Sequence, residues 1–232
     1  MSRAAVTSLP RPAGTFYRAI NLNGPALVID GNTWQGSDAP NYTHNGSRFA
    51  RENAILSPPT DVNRARMITS SVWNSAGANV TLSAVPPGTY QVLLYVWEDN
   101  SPVTYSIYLN GQLVKANHNS GSAGQWHRLG PWPVTVTSAS IILTCSAGDA
   151  NLSGIEIWQS DSIGLRIQSS RAGPTELSFV SESGRTYQIE TSADLRTWTF
   201  LARLTATGTS SRYTDSAART LNHLFYRVLR VQ

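Results

Sequence analysis

Seven Trp and nine Tyr stand among loops rich in Asn, Ser, Thr and Gly, and that combination fits one kind of recognition chemistry. A pyranose shows an apolar C–H face and a ring of hydroxyls, so a site for it needs an exposed aromatic plane beside side chains that both donate and accept hydrogen bonds. Trp126 is the first candidate for the plane. It closes the run Ser120-Gly121-Ser122-Ala123-Gly124-Gln125-Trp126, where no strand pattern asks for an aromatic; lid packing is the alternative role. Trp34, near Asn32 and Gln35, and Tyr42, beside Asn41, are further candidates. Trp158 and Trp97 end alternating runs and Trp132 lies between two prolines, positions that suit packing. Trp97 also leads into Glu98-Asp99-Asn100, and so would wall any site that loop forms.

The polar half of such a site has two sources. Asp149-Ala150-Asn151 could offer a carboxylate and an amide to vicinal hydroxyls, a charge-assisted arrangement stronger than neutral pairs, or could simply cap the following strand as an Asx-type turn. Glu98-Asp99-Asn100 has the same two readings. No cofactor is expected. Structural calcium is a further option, because Asp30, Asn32, Asp149 and Glu156 are oxygen ligands on segments that could converge, although no spaced calcium loop is present. Catalysis has little support. There is no Gly-x-Ser-x-Gly, no His-Glu-x-x-His and no phosphate loop, and His44, His118, His127 and His223 lack metal-ligand spacing. Glu98 or Asp99 opposite Asp149 would be the carboxylate pair for glycoside hydrolysis, but among eight Asp and six Glu some close pair is inevitable. Asn-x-Ser/Thr sequons at Asn41, Asn45, Asn79 and Asn151 carry little information in a chain this rich in Asn and Thr.

These residues must be carried by strands. Tyr90–Trp97, Tyr105–Leu109, Val134–Val136 and Ile141–Leu143 are β-branched and aromatic runs, separated by Pro86-Pro87-Gly88, Asn110-Gly111 and Ser146-Ala147-Gly148. Asn110-Gly111 is a hairpin signal, since both central residues of a type I′ turn need positive φ. No helix of three turns is expected; Ser47–Ala54 and Asp61–Met67 could each form one or two. The chain is predicted to be all-β, a sandwich or jelly roll. A second strand series follows a polar connection, over 165–168, 175–180, 186–190, 198–204, 211–214 and 224–231. Two modules are therefore expected, 14–160 and 162–232, with the boundary near residue 161. The second is small for an independent core, and no Gly/Ser or Pro linker of ten or more residues precedes it, so a packed interface is expected.

Composition narrows the function classes. Of 232 residues, 41% are hydrophobic and only 14% charged, against a usual charged fraction of about 25%. Such a hydroxyl- and amide-rich surface suits an extracellular, sugar-facing protein. No apolar run approaches the roughly 20 residues of a membrane helix, so no membrane partner is expected. The net charge of +4 comes from scattered Arg, with Lys115 as the one Lys and no basic stripe, so nucleic acid is not expected either; weak attraction to an acidic polysaccharide remains compatible. Cys145, within Ile141-Ile142-Leu143-Thr144-Cys145, reads as a small buried hydrophobe. The opening Met1-Ser2-Arg3-Ala4-Ala5 lacks the apolar stretch of a signal peptide.

Four segments in order carry a family resemblance. They are Phe16-Tyr17-Arg18-Ala19-Ile20-Asn21 with Asp30-Gly31-Asn32-Thr33-Trp34; Gly88-Thr89-Tyr90-Gln91-Val92-Leu93-Leu94-Tyr95-Val96-Trp97-Glu98; Ile107-Tyr108-Leu109-Asn110-Gly111; and Gly148-Asp149-Ala150-Asn151-Leu152-Ser153-Gly154-Ile155-Glu156-Ile157. Over about residues 14–158 the chain resembles the malectin family, sugar-binding β-sandwiches of the galactose-binding-like superfamily. Gly124-Gln125-Trp126 with Asn151-Leu152 is similar to related carbohydrate-binding modules, in which a loop Trp and an Asn before the last strand meet at the sugar. After Glu98 the family has adjacent aromatic residues that stack on glucose, whereas here stand Asp99-Asn100-Ser101-Pro102, so diglucose specificity is not implied. Residues 186–192, Trp198 and 225–231 resemble a fibronectin type III-like sandwich attached to secreted bacterial hydrolases. Together the resemblances imply a noncatalytic module binding a polysaccharide or oligosaccharide, at the cell surface or outside the cell, with further domains of a longer secreted protein as companions. The alternative is a structural or adhesive sandwich making protein contacts.

Overall fold

Strands dominate because β-branched and aromatic residues alternate along most of the chain. The structure, a computed structural model, describes residues 9–12, 14–146, 148–160, 163–169, 173–216 and 224–231. It divides into two compact units, Met1–Val85 with Tyr90–Gln159, and Pro86–Thr89 with Ser160–Gln232. Residues 161 and 162, at the expected module boundary, lie outside the described residues, as does His223.

In the first unit the elements are β1 (Thr15–Asn21), β2 (Leu27–Ile29), β3 (Asn32–Trp34), β4 (Tyr42–His44), β5 (Ser47–Ala50), α1 (Val62–Ile68), β6 (Ser70–Trp73), β7 (Asn79–Ser83), β8 (Gly88–Trp97), β9 (Thr104–Leu109), β10 (Gln112–Asn119), β11 (Trp126–Val136), β12 (Ser140–Ser146) and β13 (Asn151–Gln159). One sheet runs β11-β8-β13-β6-β5 with β1 added on β13, and the other runs β10-β9-β12-β7-β4. Their facing sides enclose a core that includes Val92, Leu94, Val96, Ile107, Leu109, Ile141, Leu143, Cys145, Ile155 and Ile157. Cys145 is fully buried, and burial pushes its thiol up to about 12. The Asn110-Gly111 turn joins β9 to β10 with φ of 48° and 79°, the left-handed geometry its sequence requires.

Strand β8 is buried on both faces, which explains why it reads as a nearly unbroken apolar run. Val92, Leu94 and Val96 face the sandwich core, while Tyr95 and Trp97 face a second cluster on the other side, built with Ala19, Ile29, Trp34, Met67, Ile68 and Trp126. The β2–β3 hairpin and α1 contribute much of this outer layer. Asp61 caps α1 by accepting from the Arg64 backbone N–H at 2.9 Å, the usual role of a short acid there. The other stretch expected to coil, 47–54, begins instead as β5, paired with β6 from Ser47↔Trp73 to Ala50↔Ser70. Tertiary pairing overrides its local preference.

The second unit contains β14 (Arg166–Ser169), β15 (Thr175–Val180), β16 (Thr186–Ser192), β17 (Thr199–Thr205), β18 (Ser210–Asp215) and β19 (Phe225–Val231). Two three-stranded sheets, β14-β15-β18 and β17-β16-β19, enclose Leu177, Phe179, Tyr187, Ile189, Ala206, Tyr226 and Val228.

Candidate functional site

The C-terminal end of β8 and the N-terminal end of β13 are paired through Asn151↔Trp97, which places the Trp97–Asn100 loop beside Asn151. The Asn151 amide Nδ2 donates to Asp99 Oδ1 at 2.7 Å, and its Oδ1 accepts from Ser71 Oγ at 3.2 Å. Glu98 is 2% exposed. Its carboxylate accepts from Ser120 Oγ at 2.5 Å and from the Asn100 backbone N–H at 2.9 Å, while its backbone binds the Gly124 and Gln125 segment. Buried polar groups satisfied in this way hold a loop in one conformation. Arg51 reaches in from the segment after β5, its Nη1 donating to the Asp99 carbonyl at 3.0 Å.

Above this polar frame lies an aromatic pair that the sequence did not single out. Phe49 on β5 stacks on Trp97 with centroids 6.1 Å apart and planes 19° apart. Phe49 is half-buried, whereas Trp97 beneath it is buried. Phe49, Arg51, Asp99 and Asn100 therefore form one partly exposed surface, joined by β5–β6 pairing at Phe49↔Ser71 and by the Ser71–Asn151–Asp99 chain. The missed signal was the register of β5, which the local sequence Ser47-Arg48-Phe49-Ala50 does not disclose.

The aromatic residues expected to face a sugar do not do so. Trp126 is 7% exposed: it begins β11, stacks on Tyr95 at 6.3 Å and 13°, and donates from Nε1 to the Pro58 carbonyl at 2.7 Å. Its loop is not an open platform because residues 54–58 lie against it, with Ser57 bridging Gln125 and Trp126 donating its N–H to Ser57. Trp34 packs edge-on against Tyr95 in the same cluster. Tyr42 belongs to the sandwich core and donates to the Leu22 carbonyl at 2.8 Å. Asp149 and Asn151 are separated by burial, Asp149 exposed and Asn151 5% exposed, so they do not present a joint carboxylate–amide edge. Of the expected residues, Trp97, Glu98, Asp99, Asn100 and Asn151 come together; Glu98 and Asn151 act as its internal ties.

Two of the four oxygen ligands considered for calcium, Asp30 and Glu156, are engaged by other side chains. Asp30 is paired with Arg64 at 2.5 Å. Glu156 accepts from Arg128 Nη2 at 3.2 Å, from Tyr95 OH at 3.1 Å and from Trp158 Nε1 at 2.8 Å. Among the described residues, no group of three or more His, Cys, Asp or Glu is placed to hold a metal ion. Burial, with Glu156 alongside, raises the Tyr95 phenol well above its ordinary value, so Tyr95 remains a hydrogen-bond donor to that carboxylate.

No protein-family model matches the chain, and no curated protein matches it in sequence. Solved structures do share its fold. The extracellular domain of ANXUR1 from Arabidopsis thaliana is 18% identical, covers 63% of this chain with 49% of its own length, and superposes with a TM-score of 0.52. The ANX2 ectodomain of the same plant is 16% identical with a TM-score of 0.51 over 63% of this chain and 50% of that one. What is common to them is a malectin-like β-sandwich. A Bacteroides uniformis β-glucuronidase 2 shares 17% identity and a TM-score of 0.50, over 61% of this chain but 17% of the enzyme. This chain thus spans about half the length of the plant ectodomains and under a fifth of the glucuronidase. No helix among the described residues is long and apolar enough to cross a membrane.

Proposed function

We propose that this chain is a noncatalytic carbohydrate-binding module of an extracellular or cell-surface protein, of the kind attached to bacterial glycan-degrading enzymes. The observation that carries this reading is the surface at the end of β8: Phe49 stacked on Trp97, beside Asp99 fixed by Asn151 and Arg51. Phe49 supplies the plane for a pyranose C–H face, and Asp99, Asn100 and Arg51 supply charge-assisted and neutral hydrogen bonds to its hydroxyls. The malectin-like fold and its occurrence within a glycosidase support the proposal. So does the tying of Glu98 into its loop, which leaves that carboxylate a structural task. The second unit acts in this reading as a fibronectin type III-like spacer.

Affinity electrophoresis against plant, algal and bacterial glycans tests the proposal, with Phe49→Ala and Arg51→Ala as site variants. Loss of a central aromatic contact is worth about 1–3 kcal/mol, so Phe49→Ala should weaken binding roughly 5- to 150-fold. Absence of binding to every glycan below millimolar concentration would reject it. A second reading, protein contact by a structural or adhesive sandwich, is favoured by the burial of Trp34, Trp97 and Trp126 and by the likeness to receptor ectodomains. It predicts that Phe49→Ala impairs a protein partner and no sugar.

A further inference from the structure

The outer face of the β14-β15-β18 sheet carries two arginines in one cross-strand row. The register pairs Arg166 with Ser178 and Ser178 with Arg212, so both guanidiniums rise from the same face on either side of one hydroxyl. Strands in a sheet lie about 4.8 Å apart, which sets the two arginine Cα atoms about 10 Å apart. That span lets both side chains lean over Ser178 toward a single group. The adjoining row, Gln168↔Glu176↔Thr214, lies on the same face because side chains alternate with period two. Leu177 and Tyr213, between these rows, point the other way into the core.

Arg166, Gln168, Glu176, Ser178 and Arg212 line a concavity, together with Ile167 and Leu177 of the intervening row. Among the described residues neither arginine makes an ion pair or a side-chain hydrogen bond, unlike Arg227 and Arg230, which are engaged by Glu190 and Glu182. Like charges placed two strands apart without a counter-ion are a small electrostatic cost, which an anion between them removes. Glu176, diagonal to both, leaves the patch with a net charge of only +1 and adds an acceptor, as Gln168 adds both donor and acceptor.

The geometry points to a binding site for the anionic substituent of an acidic glycan, a carboxylate or sulfate received between Arg166 and Arg212 over Ser178, with neighbouring hydroxyls met by Gln168 and Glu176. Guanidinium forks match the planar or tetrahedral oxygens of such groups. This site lies in the second unit and does not depend on the Phe49 surface of the first.

Native gels of the full chain cast with polygalacturonate, dextran sulfate or unmodified dextran provide the test. The wild-type chain should be retarded by at least one of the two acidic polymers and not by dextran, and retardation should fall as salt rises. Comparing the polygalacturonate and dextran sulfate gels identifies the carboxylate or the sulfate as the preferred group. Arg166→Gln with Arg212→Gln should reduce apparent affinity at least tenfold, whereas Arg48→Gln with Arg66→Gln, which removes the same net charge from exposed positions of the first unit, should not. Ser178→Glu, which places a carboxylate between the arginines, should abolish retardation with far-UV circular dichroism unchanged. Phe49→Ala should keep it, which separates failure of this site from failure of the first. Equal retardation of the two double variants, or no retardation by either acidic polymer, or equally strong retardation by duplex DNA, would overturn the inference.

Discussion

Replacing Trp126 by Ala separates two accounts of one residue, because the structure predicts its consequence with a sign and a size. A binding platform on a glycine-rich loop would lose affinity and little stability. The buried Trp126 found here fills space between Tyr95 and the neighbouring aromatic side chains of its cluster, and truncating such a side chain costs about 3–5 kcal/mol. The Nε1 bond to Pro58 is also lost; since Pro58 is exposed, its carbonyl can turn to water, and this adds at most about 1 kcal/mol. A total near 4 kcal/mol, at roughly 2–4 °C per kcal/mol for a chain of this size, lowers the melting temperature by about 8–16 °C. Differential scanning calorimetry on the wild type and Trp126→Ala reads this directly, and Trp126→Phe should recover much of the loss because a phenyl ring in its place can still stack on Tyr95. Glycan affinity, measured below both transitions, should be unchanged. An unaltered melting temperature with weakened sugar binding would refute the packing argument and return Trp126 to the surface.

Three further outcomes follow from burial. His118 is held well below its ordinary value, at about 4, chiefly by burial and then by His127 and Lys115; because the unfolded chain takes up the proton near pH 6.5, stability is full above that pH and falls by about 2–3 kcal/mol between pH 6.5 and 4. Urea midpoints across that range should show this slope, and His118→Phe should flatten it. Arg128→Met should cost about 3–5 kcal/mol by leaving the Glu156 carboxylate buried without its cation, and adding Glu156→Gln should restore much of that; a single variant with wild-type stability in chemical denaturation would contradict the assignment. Gly124→Ala should destabilise by about 3 kcal/mol, since φ is +84° and the new Cβ would meet the Ile55 carbonyl oxygen at 2.1 Å, and thermal melts would show it.

The strand pattern was legible because it is local. Period-two alternation identified the core strands of both units, and Asn110-Gly111 identified the hairpin through its backbone requirement alone. The Asn151–Asp99 meeting was legible only in part: the resemblance set the Trp126 loop beside Asn151, and it is the pairing of Asn151 with Trp97 that brings Asp99 there. What the sequence could not disclose was which face of each aromatic residue is covered. The outer side of β8 is buried by α1, the β2–β3 hairpin and residues 54–58, segments distant in sequence whose arrival turns Trp34 and Trp126 from candidate platforms into packing and covers Trp97, for which packing was the expected role. The same long-range pairing explains the other surprises. Phe49 reaches the site only because β5 pairs with β6, and Arg166 and Arg212 share one row only because both register on Ser178. Residue types and spacing decide where most of the core strands form, β5 being an exception made by its pairing with β6; whether an aromatic or a charge on a strand meets water or protein is decided by what folds over it, and that information resides in contacts between residues far apart along the chain.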